Sequence, residues 1–102
     1  MKHLDFIRGL PCAVCGDNTT TEAAHIRTLD RRVAKPITGM GTKPPDWWTV
    51  PLCGDCHRLQ HSGSEKAFWE GTGIDPIFIA MALYVHSGDQ VSGERIIGAL
   101  RD

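Results

Sequence analysis

The sequence predicts a small α+β domain with a helical C-terminal half. Two short segments before position 53 contain β-branched residues typical of strands, and helix-start signals recur after position 62. In addition, two C-x2-C motifs, Cys12–Cys15 and Cys53–Cys56, are separated by 37 residues. We therefore expect one domain over residues 1–102, with a core motif at 12–61 and a helical part at 62–102.

The four cysteines predict a structural zinc site. Two C-x2-C turns can direct four thiolates to one tetrahedral Zn²⁺, and a complete thiolate shell leaves no open coordination position for chemistry. The alternative, in a secreted protein, is two disulfides in any of three connectivities. The stretch Met1–Phe6 carries an acid where a signal peptide has its apolar segment. We therefore expect a cytoplasmic location, where thiols stay reduced and bind metal.

The overall composition excludes some function classes. The formal net charge is −1, so no global basic field indicates a nucleic-acid partner. The chain has no run of about 18 apolar residues, which argues against a membrane-spanning helix. Apolar residues make up 41% of the chain, enough for a modest core that a metal ion would supplement.

The elements of the N-terminal half follow from local composition. Residues 3–9 predict a short helical or extended segment, and residues 19–26 predict a strand. The glycines and prolines of 27–45 predict a long loop. Residues 47–52 predict a second strand, which Pro51 places at a sheet edge.

The second half predicts four helices. The first follows Cys53 directly, and Ser62 to Glu65 resembles a capping box that opens the second. Asp75 and Pro76 give the third helix an N-cap acid and a proline in its first turn. We expect the first helix to begin around Gly54 or Asp55 and to carry His57 and His61, and the second to run from this capping box through Trp69. The third should run from Pro76 through Val85 and end at Gly88, and the fourth should cover roughly 92–100.

Histidines follow both the first strand and the second cysteine motif. His57 and His61 are four residues apart on a predicted helix, so their imidazoles share one face. Together they can bind one divalent ion and leave its other positions to water and phosphate. The alternative is one histidine capping the helix and the other exposed to solvent. His25 is a candidate general base because imidazole titrates near neutral pH, although a lone histidine is more often structural.

The order of these residues resembles the HNH (ββα-metal) nucleases that carry a four-cysteine zinc. The resemblance rests on His25, on Pro51-Leu52-Cys53-Gly54-Asp55-Cys56-His57 and on His61. The run Gly39-Met40-Gly41-Thr42-Lys43-Pro44-Pro45-Asp46 precedes Cys53 by seven residues and is similar to the narrower Ref-like group of phage and prophage nucleases. The resemblance implies a treble-clef or ββα-metal centre, in a protein encoded by a phage or its bacterial host.

By this resemblance, the protein is a metal-dependent DNA endonuclease. His25 takes the position of the general base that deprotonates water, and His57 and His61 hold a catalytic Mg²⁺, Mn²⁺ or Zn²⁺. The implied reaction is phosphodiester hydrolysis that leaves a 5′ phosphate. The resemblance also implies a recombinase filament as a targeting partner beside the DNA. We expect neither a membrane nor a small-molecule substrate.

Two positions depart from the HNH pattern. Ala24 stands where many members have a metal-binding aspartate or histidine, and Trp48 stands where they have the middle asparagine. Asp46 is the compensating candidate, either as a further metal ligand or as the hydrogen-bond partner of His25. Its other interpretation is a loop carboxylate in an Asx-type turn. A non-catalytic zinc module that binds nucleic acid or protein therefore remains the alternative to the nuclease.

Basic residues concentrate in the loop after His25. Between His25 and Lys43 the chain contains five basic residues and one acidic residue, Asp30. A basic, glycine-rich loop beside a metal site suits contact with phosphates, although an ordinary solvated loop is the alternative. The predicted phosphate contacts are Arg27, Arg31, Arg32 and Lys43 from the loop, and Arg58 beside the histidine pair.

Overall fold

A computed structural model describes residues 2–38 and 43–100 of the chain. The described residues form five α-helices, one 3₁₀ turn and a two-stranded antiparallel sheet, which confirms a small α+β domain with a helical C-terminal half. In chain order the elements are α1 (Lys2–Arg8), β1 (Thr21–His25), the 3₁₀ turn (Arg31–Val33), β2 (Thr49–Cys53), α2 (Gly54–His61), α3 (Glu65–Thr72), α4 (Pro76–Val85) and α5 (Gln90–Ala99). Positions 39–42, which the Ref-like resemblance uses, lie outside the described residues.

The sheet joins the two ends of the core motif. Thr21 on β1 lies opposite Cys53 on β2, and His25 lies opposite Thr49. Every residue of β2 is buried, and α2 continues from it without a linker. This register therefore places the start of α2 beside the start of β1, and it places His25 beside the turn that precedes β2.

The core lies between the sheet and the helices α1, α4 and α5. Its central side chains are fully buried and come from every layer: Ile7, Leu10, Ile26, Val50, Leu52, Leu83 and Ile97. Gly93 allows α5 to lie close to α1, because a Cβ at this position would come within 2.8 Å of Leu10 and 2.9 Å of Phe6. Among the described residues, no helix combines the length and apolar composition needed to cross a bilayer.

Helix caps explain where the structure departs from the predicted bounds. The predicted capping box at Ser62 is wrong: Ser62 closes α2, and Ser64 caps α3 by accepting from the N–H of Ala67 at 3.1 Å. Helix α3 continues to Thr72 because Gly73, with φ of 73°, provides a left-handed C-cap. Helix α5 begins at Gln90, two residues early, because Asp89 is its N-cap.

The predicted N-terminus of α4 is confirmed. The Asp75 carboxylate accepts from the N–H groups of Ile77 and Phe78 at 3.1 and 3.3 Å, and Pro76 opens the first turn. The helix ends at Val85, and Gly88, with φ of 89°, forms the turn that leads to α5. Local sequence signals therefore suffice to position this helix.

Candidate metal and catalytic site

The four cysteines meet at one point of the structure. The Sγ atoms of Cys12, Cys15, Cys53 and Cys56 all lie within 4.8 Å of one another, and those of Cys15 and Cys53 are 3.6 Å apart. Four thiolates on one tetrahedral zinc, with Zn–S of about 2.3 Å, lie about 3.8 Å apart. A disulfide requires about 2.05 Å. None of the four cysteines is in a disulfide, so the spacing and donor set fit a structural zinc and not two disulfides.

Two different local structures present these thiols. At the first motif, a turn closes when the N–H of Gly16, with φ of 82°, donates to the carbonyl of Cys12 at 2.9 Å. At the second, Cys53 is the N-cap of α2, and its sulfur accepts from the N–H of Cys56 at 3.5 Å. A hydrogen bond of 2.9 Å from Ala13 N to Pro51 O joins the first motif to β2, two residues before Cys53. Sheet pairing and this bond together fix the cluster.

The surroundings of the cluster shift the pKa values of its thiols in different directions. Burial opposes ionisation of Cys12, but hydrogen bonds from the backbone N–H groups of Cys15 and Cys53 outweigh it and lower the pKa of Cys12 to about 7. Burial raises the pKa of the Cys56 thiol. Because a bound cation favours the thiolate form of every ligand, metal binding at this cluster releases protons.

His57 and His61 form the second group. Their Nε2 atoms lie 3.1 Å apart on the exposed face of α2. Two nitrogens bound to one ion at about 2.05 Å lie about 2.9 to 3.4 Å apart, so the pair has the spacing of a two-histidine metal site. Without a metal, the same distance is that of an imidazole–imidazole hydrogen bond.

Glu22 completes this group and is a candidate site residue that local sequence patterns do not indicate. Its Oε1 lies 2.7 Å from Nδ1 of His57, across the junction of β1 and α2. The carboxylate accepts the Nδ1 proton, which leaves the Nε2 lone pair of His57 directed at His61. The signal was available only through the sheet register, because Glu22 pairs with Leu52, two residues before α2 begins.

His25 and Asp46 form a third group. Nε2 of His25 lies 3.1 Å from Oδ1 of Asp46, and both side chains are partly buried. A turn holds Asp46 there: its carbonyl accepts from the Thr49 hydroxyl at 2.7 Å, and Trp48 N donates to Pro45 O at 3.0 Å. Of the two compensating roles considered for Asp46, the hydrogen bond to His25 is the one that this geometry provides.

The three groups are separate in the structure. Within residues 2–38 and 43–100, the cysteine cluster is the one set of three or more metal-binding side chains close enough to share an ion. His25 and Asp46 therefore do not join His57 and His61 in a common ligand shell. Ala24 is fully buried in the core, and Trp48 packs against the core with Lys35 over its ring at 5.9 Å.

The predicted basic loop is more structured than its composition indicates. Asp30 and Lys35 exchange backbone hydrogen bonds of 3.0 and 2.9 Å, which enclose the 3₁₀ turn. Lys35 is only 2% exposed, and its ammonium donates to the carbonyl of Thr28 at 2.6 Å. The loop therefore presents less positive charge to solvent than its sequence suggests.

The basic side chains predicted to contact phosphate differ in their ion-pair partners within the protein. All three guanidinium nitrogens of Arg32 donate to Asp30 and Asp75, at 2.6 to 3.3 Å. These hydrogen bonds lower the pKa of both carboxyls and raise that of Arg32. Arg58 pairs with Asp55 on the exposed face of α2. Arg31 and Lys43 are exposed, and neither has an ion-pair partner among the described residues.

A cavity of about 260 Å³ lies beside the histidine pair. Arg27 and His61 both line it, together with Gln60, whose buried side-chain amide has no hydrogen-bond partner among the described residues. The backbone N–H groups of Arg27 and Thr28 donate to the Glu65 carboxylate at 3.0 and 3.3 Å, which ties the segment after His25 to α3. Glu65 thus orients the wall of this cavity instead of capping its helix.

Comparison with known proteins gives a family and no individual relative. No curated protein matches the chain, and no solved structure matches it. The family model described as "Protein of unknown function (DUF968)" matches residues 1–84, which include all three groups described above. The chain therefore belongs to the DUF968 family.

Proposed function

We propose that this protein is a metal-dependent endonuclease of HNH type that hydrolyses DNA phosphodiester bonds, with β1, β2 and α2 as its ββα-metal centre. The observation that supports the proposal is the histidine pair, in which the Nε2 atoms of His57 and His61 lie 3.1 Å apart. Nδ1 of His57 is hydrogen-bonded to the carboxylate of Glu22. A carboxylate on the far nitrogen of a metal-binding histidine is the usual support for such a ligand.

The residues that would hold the catalytic metal are His57 and His61, through Nε2. A divalent ion bound there would supply a Lewis acid that neutralises charge on the phosphate and stabilises the leaving oxygen. Glu22 fixes the tautomer of His57 so that Nε2 presents a lone pair. Two nitrogen ligands leave the remaining coordination positions of the ion open to water and phosphate oxygens. Zn²⁺, Mn²⁺ and Mg²⁺ are the candidate ions, and they differ in their preference for nitrogen or oxygen ligands.

His25 supplies the general base in this proposal. Because Asp46 accepts the proton on Nε2, the lone pair of His25 resides on Nδ1, which can take a proton from the attacking water. Asp46 thereby orients the imidazole of His25. In HNH enzymes the middle asparagine has this role, and Trp48, which stands at that position here, cannot perform it. Asp46 is a positioning residue here and not a metal ligand.

Substrate binding would rest on Arg27 in the cavity of His61 and on the exposed cations of the loop that follows β1. Arg27 lines the same cavity as His61, and Arg31 and Lys43 project into solvent from the neighbouring loop. Few phosphate contacts imply modest DNA affinity, since each neutralised phosphate contributes to binding separately. A recombinase filament would supply the targeting that this small surface lacks.

The experiment that tests this proposal compares His57→Ala with wild type in nicking of a supercoiled plasmid with Mg²⁺, Mn²⁺ or Zn²⁺. We expect the variant to lose cleavage and to keep its circular dichroism spectrum and one equivalent of zinc at the cysteine cluster. Leu59→Ala, an exposed position on the same helix, is the matched control and should cut normally. Cleavage by His57→Ala at the wild-type rate would refute the assignment of the metal ligands.

A non-catalytic zinc module is the second candidate function. The buried Ala24 favours it, because this core position holds a metal ligand in many HNH enzymes. In that case wild type would bind DNA or a protein with every metal tested and would cut nothing, so the same plasmid assay separates the two functions.

A further inference from the structure

Helix α4 leaves one apolar face uncovered. Residues Pro76–Val85 contain no charged side chain, and Ile77, Ile79, Ala80 and Leu83 are buried in the core. On the opposite face, Phe78, Met81 and Val85 are 65%, 44% and 78% exposed. With the partly buried Ala82 they occupy positions i, i+3, i+4 and i+7, the spacing by which one helix packs on another. We call Phe78, Met81, Ala82 and Val85 the α4 stripe.

The α4 stripe is large enough for a specific interface. Tyr84 and Trp47, both about half exposed, extend it, with ring centroids 6.2 Å apart. At about 200 Å² for a large side chain, these residues leave roughly 500 Å² of apolar surface open. Monomeric proteins rarely expose continuous apolar patches beyond a few hundred Å². Two such faces together would bury about 1,000 Å², the area at which specific interfaces begin.

The two ends of the stripe complement each other. At the N-terminal end, Val33, Ile77, Phe78 and Met81 line a mostly apolar cavity of about 270 Å³, and Arg32 and Asp75 also line it. At the C-terminal end, Val85 is the most exposed of the large apolar side chains in the described chain. When two α4 helices pack antiparallel, the cavity end of each faces the Val85 end of the other, twice by symmetry.

We propose that the α4 stripe is a homodimer interface, in which the α4 helices of two copies pack antiparallel and Val85 of each enters the cavity beside Phe78 of the other. An uncharged stripe can face its own copy without like-charge repulsion, and antiparallel helix dipoles are mutually favourable. A charged partner such as DNA would meet only Arg32 beside the cavity, and Asp30 and Asp75 already bind this guanidinium. This inference does not depend on the proposed nuclease activity.

Analytical ultracentrifugation of the full chain tests the interface. Between roughly 1 µM and 1 mM, wild type should convert from monomer to dimer. Phe78→Lys and Val85→Glu should each weaken association at least about 100-fold, because each buries an unpaired charge. Leu59→Glu, at an exposed apolar position on α2, is the matched control and should dimerise like wild type. A wild type that stays monomeric throughout would overturn the proposal.

The antiparallel arrangement is tested by mixing the two charged variants. Position 78 of one copy should face position 85 of the other, so the introduced lysine meets the introduced glutamate and a heterodimer should form. If each variant is monomeric and the mixture is also monomeric, the antiparallel pairing is wrong. Both substitutions are at exposed positions. Should Phe78→Lys fail to fold by circular dichroism, the pair Met81→Lys and Ala82→Glu replaces it, because positions 81 and 82 face each other in the same antiparallel register.

Discussion

Glu22 shows how one long-range contact turns a histidine pair into a candidate metal site. It lies 35 positions before His57 in the chain, and its carboxylate is 2.7 Å from the imidazole. No local pattern around Glu22 indicates this role, since an exposed acid on a short strand is ordinary. The hydrogen bond selects one tautomer of His57, and this selection is what distinguishes a prepared ligand from two solvent-exposed histidines.

We predict that Glu22→Gln lowers Mn²⁺ affinity about 10- to 100-fold, because loss of such a support typically costs a metal site this much. Electron paramagnetic resonance of free Mn²⁺ measures the affinity, and manganese avoids the thiolate cluster because it prefers oxygen and nitrogen ligands. Glu70→Gln is the matched control, since Glu70 pairs only loosely with Lys66 at 3.8 Å. Equal affinity in the two variants would remove Glu22 from the site.

Arg31 and Arg32 are adjacent residues of the same type, but their surroundings differ. Arg32 connects the 3₁₀ turn to the start of α4 through Asp30 and Asp75, whereas Arg31 is exposed and has no ion-pair partner among the described residues. A guanidinium already bound by two carboxylates offers little to a phosphate. The structure therefore separates two residues that the sequence analysis grouped together.

From this difference, Arg31→Ala should weaken DNA binding and reduce the slope of log affinity against log salt by about 1. Arg32→Ala should leave that slope unchanged and lower the thermal midpoint slightly, as expected of a largely exposed ion pair. Fluorescence anisotropy across a salt series measures both variants in one format. The opposite assignment of the two effects would mean that Arg32 releases its carboxylates to bind phosphate.

The elements that carry local signals were predictable, and those that depend on tertiary contacts were not. Asp75 and Pro76 are adjacent in sequence and predict the start of α4 without any distant contact. The spacing of the two cysteine motifs likewise predicts that the four cysteines cluster. The burial of Lys35 and the use of Glu65 by the backbone after β1 depend on neighbours distant in sequence. The sequence likewise proposed a hydrogen bond between Asp46 and His25 as one of several options, and only the folded geometry selects it.

We expect the stability of the whole molecule to depend on a metal ion at the cysteine cluster, because this cluster joins the turn at Cys12–Cys15 to the β2–α2 junction. A folded domain is stable by about 5 to 15 kcal/mol, and structural zinc binding contributes an apparent 10 to 16 kcal/mol. These magnitudes predict that the metal-free chain is unfolded or nearly so. We therefore expect that the buried apolar core alone does not compensate for losing the ion.

Cys53→Ser, or chelation of the wild type, should therefore abolish the cooperative thermal transition seen by circular dichroism. His61→Ala is the control, because it removes an exposed histidine and should retain one equivalent of zinc and the wild-type midpoint. Metal analysis of both purified proteins accompanies the unfolding curves. A Cys53→Ser protein with a native spectrum and an unchanged midpoint would show that the four cysteines do not form a structural metal site.

The measurement that decides the function is cleavage of supercoiled and single-stranded DNA by wild type and His25→Ala, with Mg²⁺, Mn²⁺ and Zn²⁺, and with and without a recombinase filament. We expect metal-dependent nicking by wild type that falls at least about 100-fold in His25→Ala, the usual contribution of a general base, while zinc content and fold persist. Equal cleavage by the two proteins would contradict His25 as the base. No cleavage by wild type under any condition, with DNA still bound, would contradict the nuclease itself.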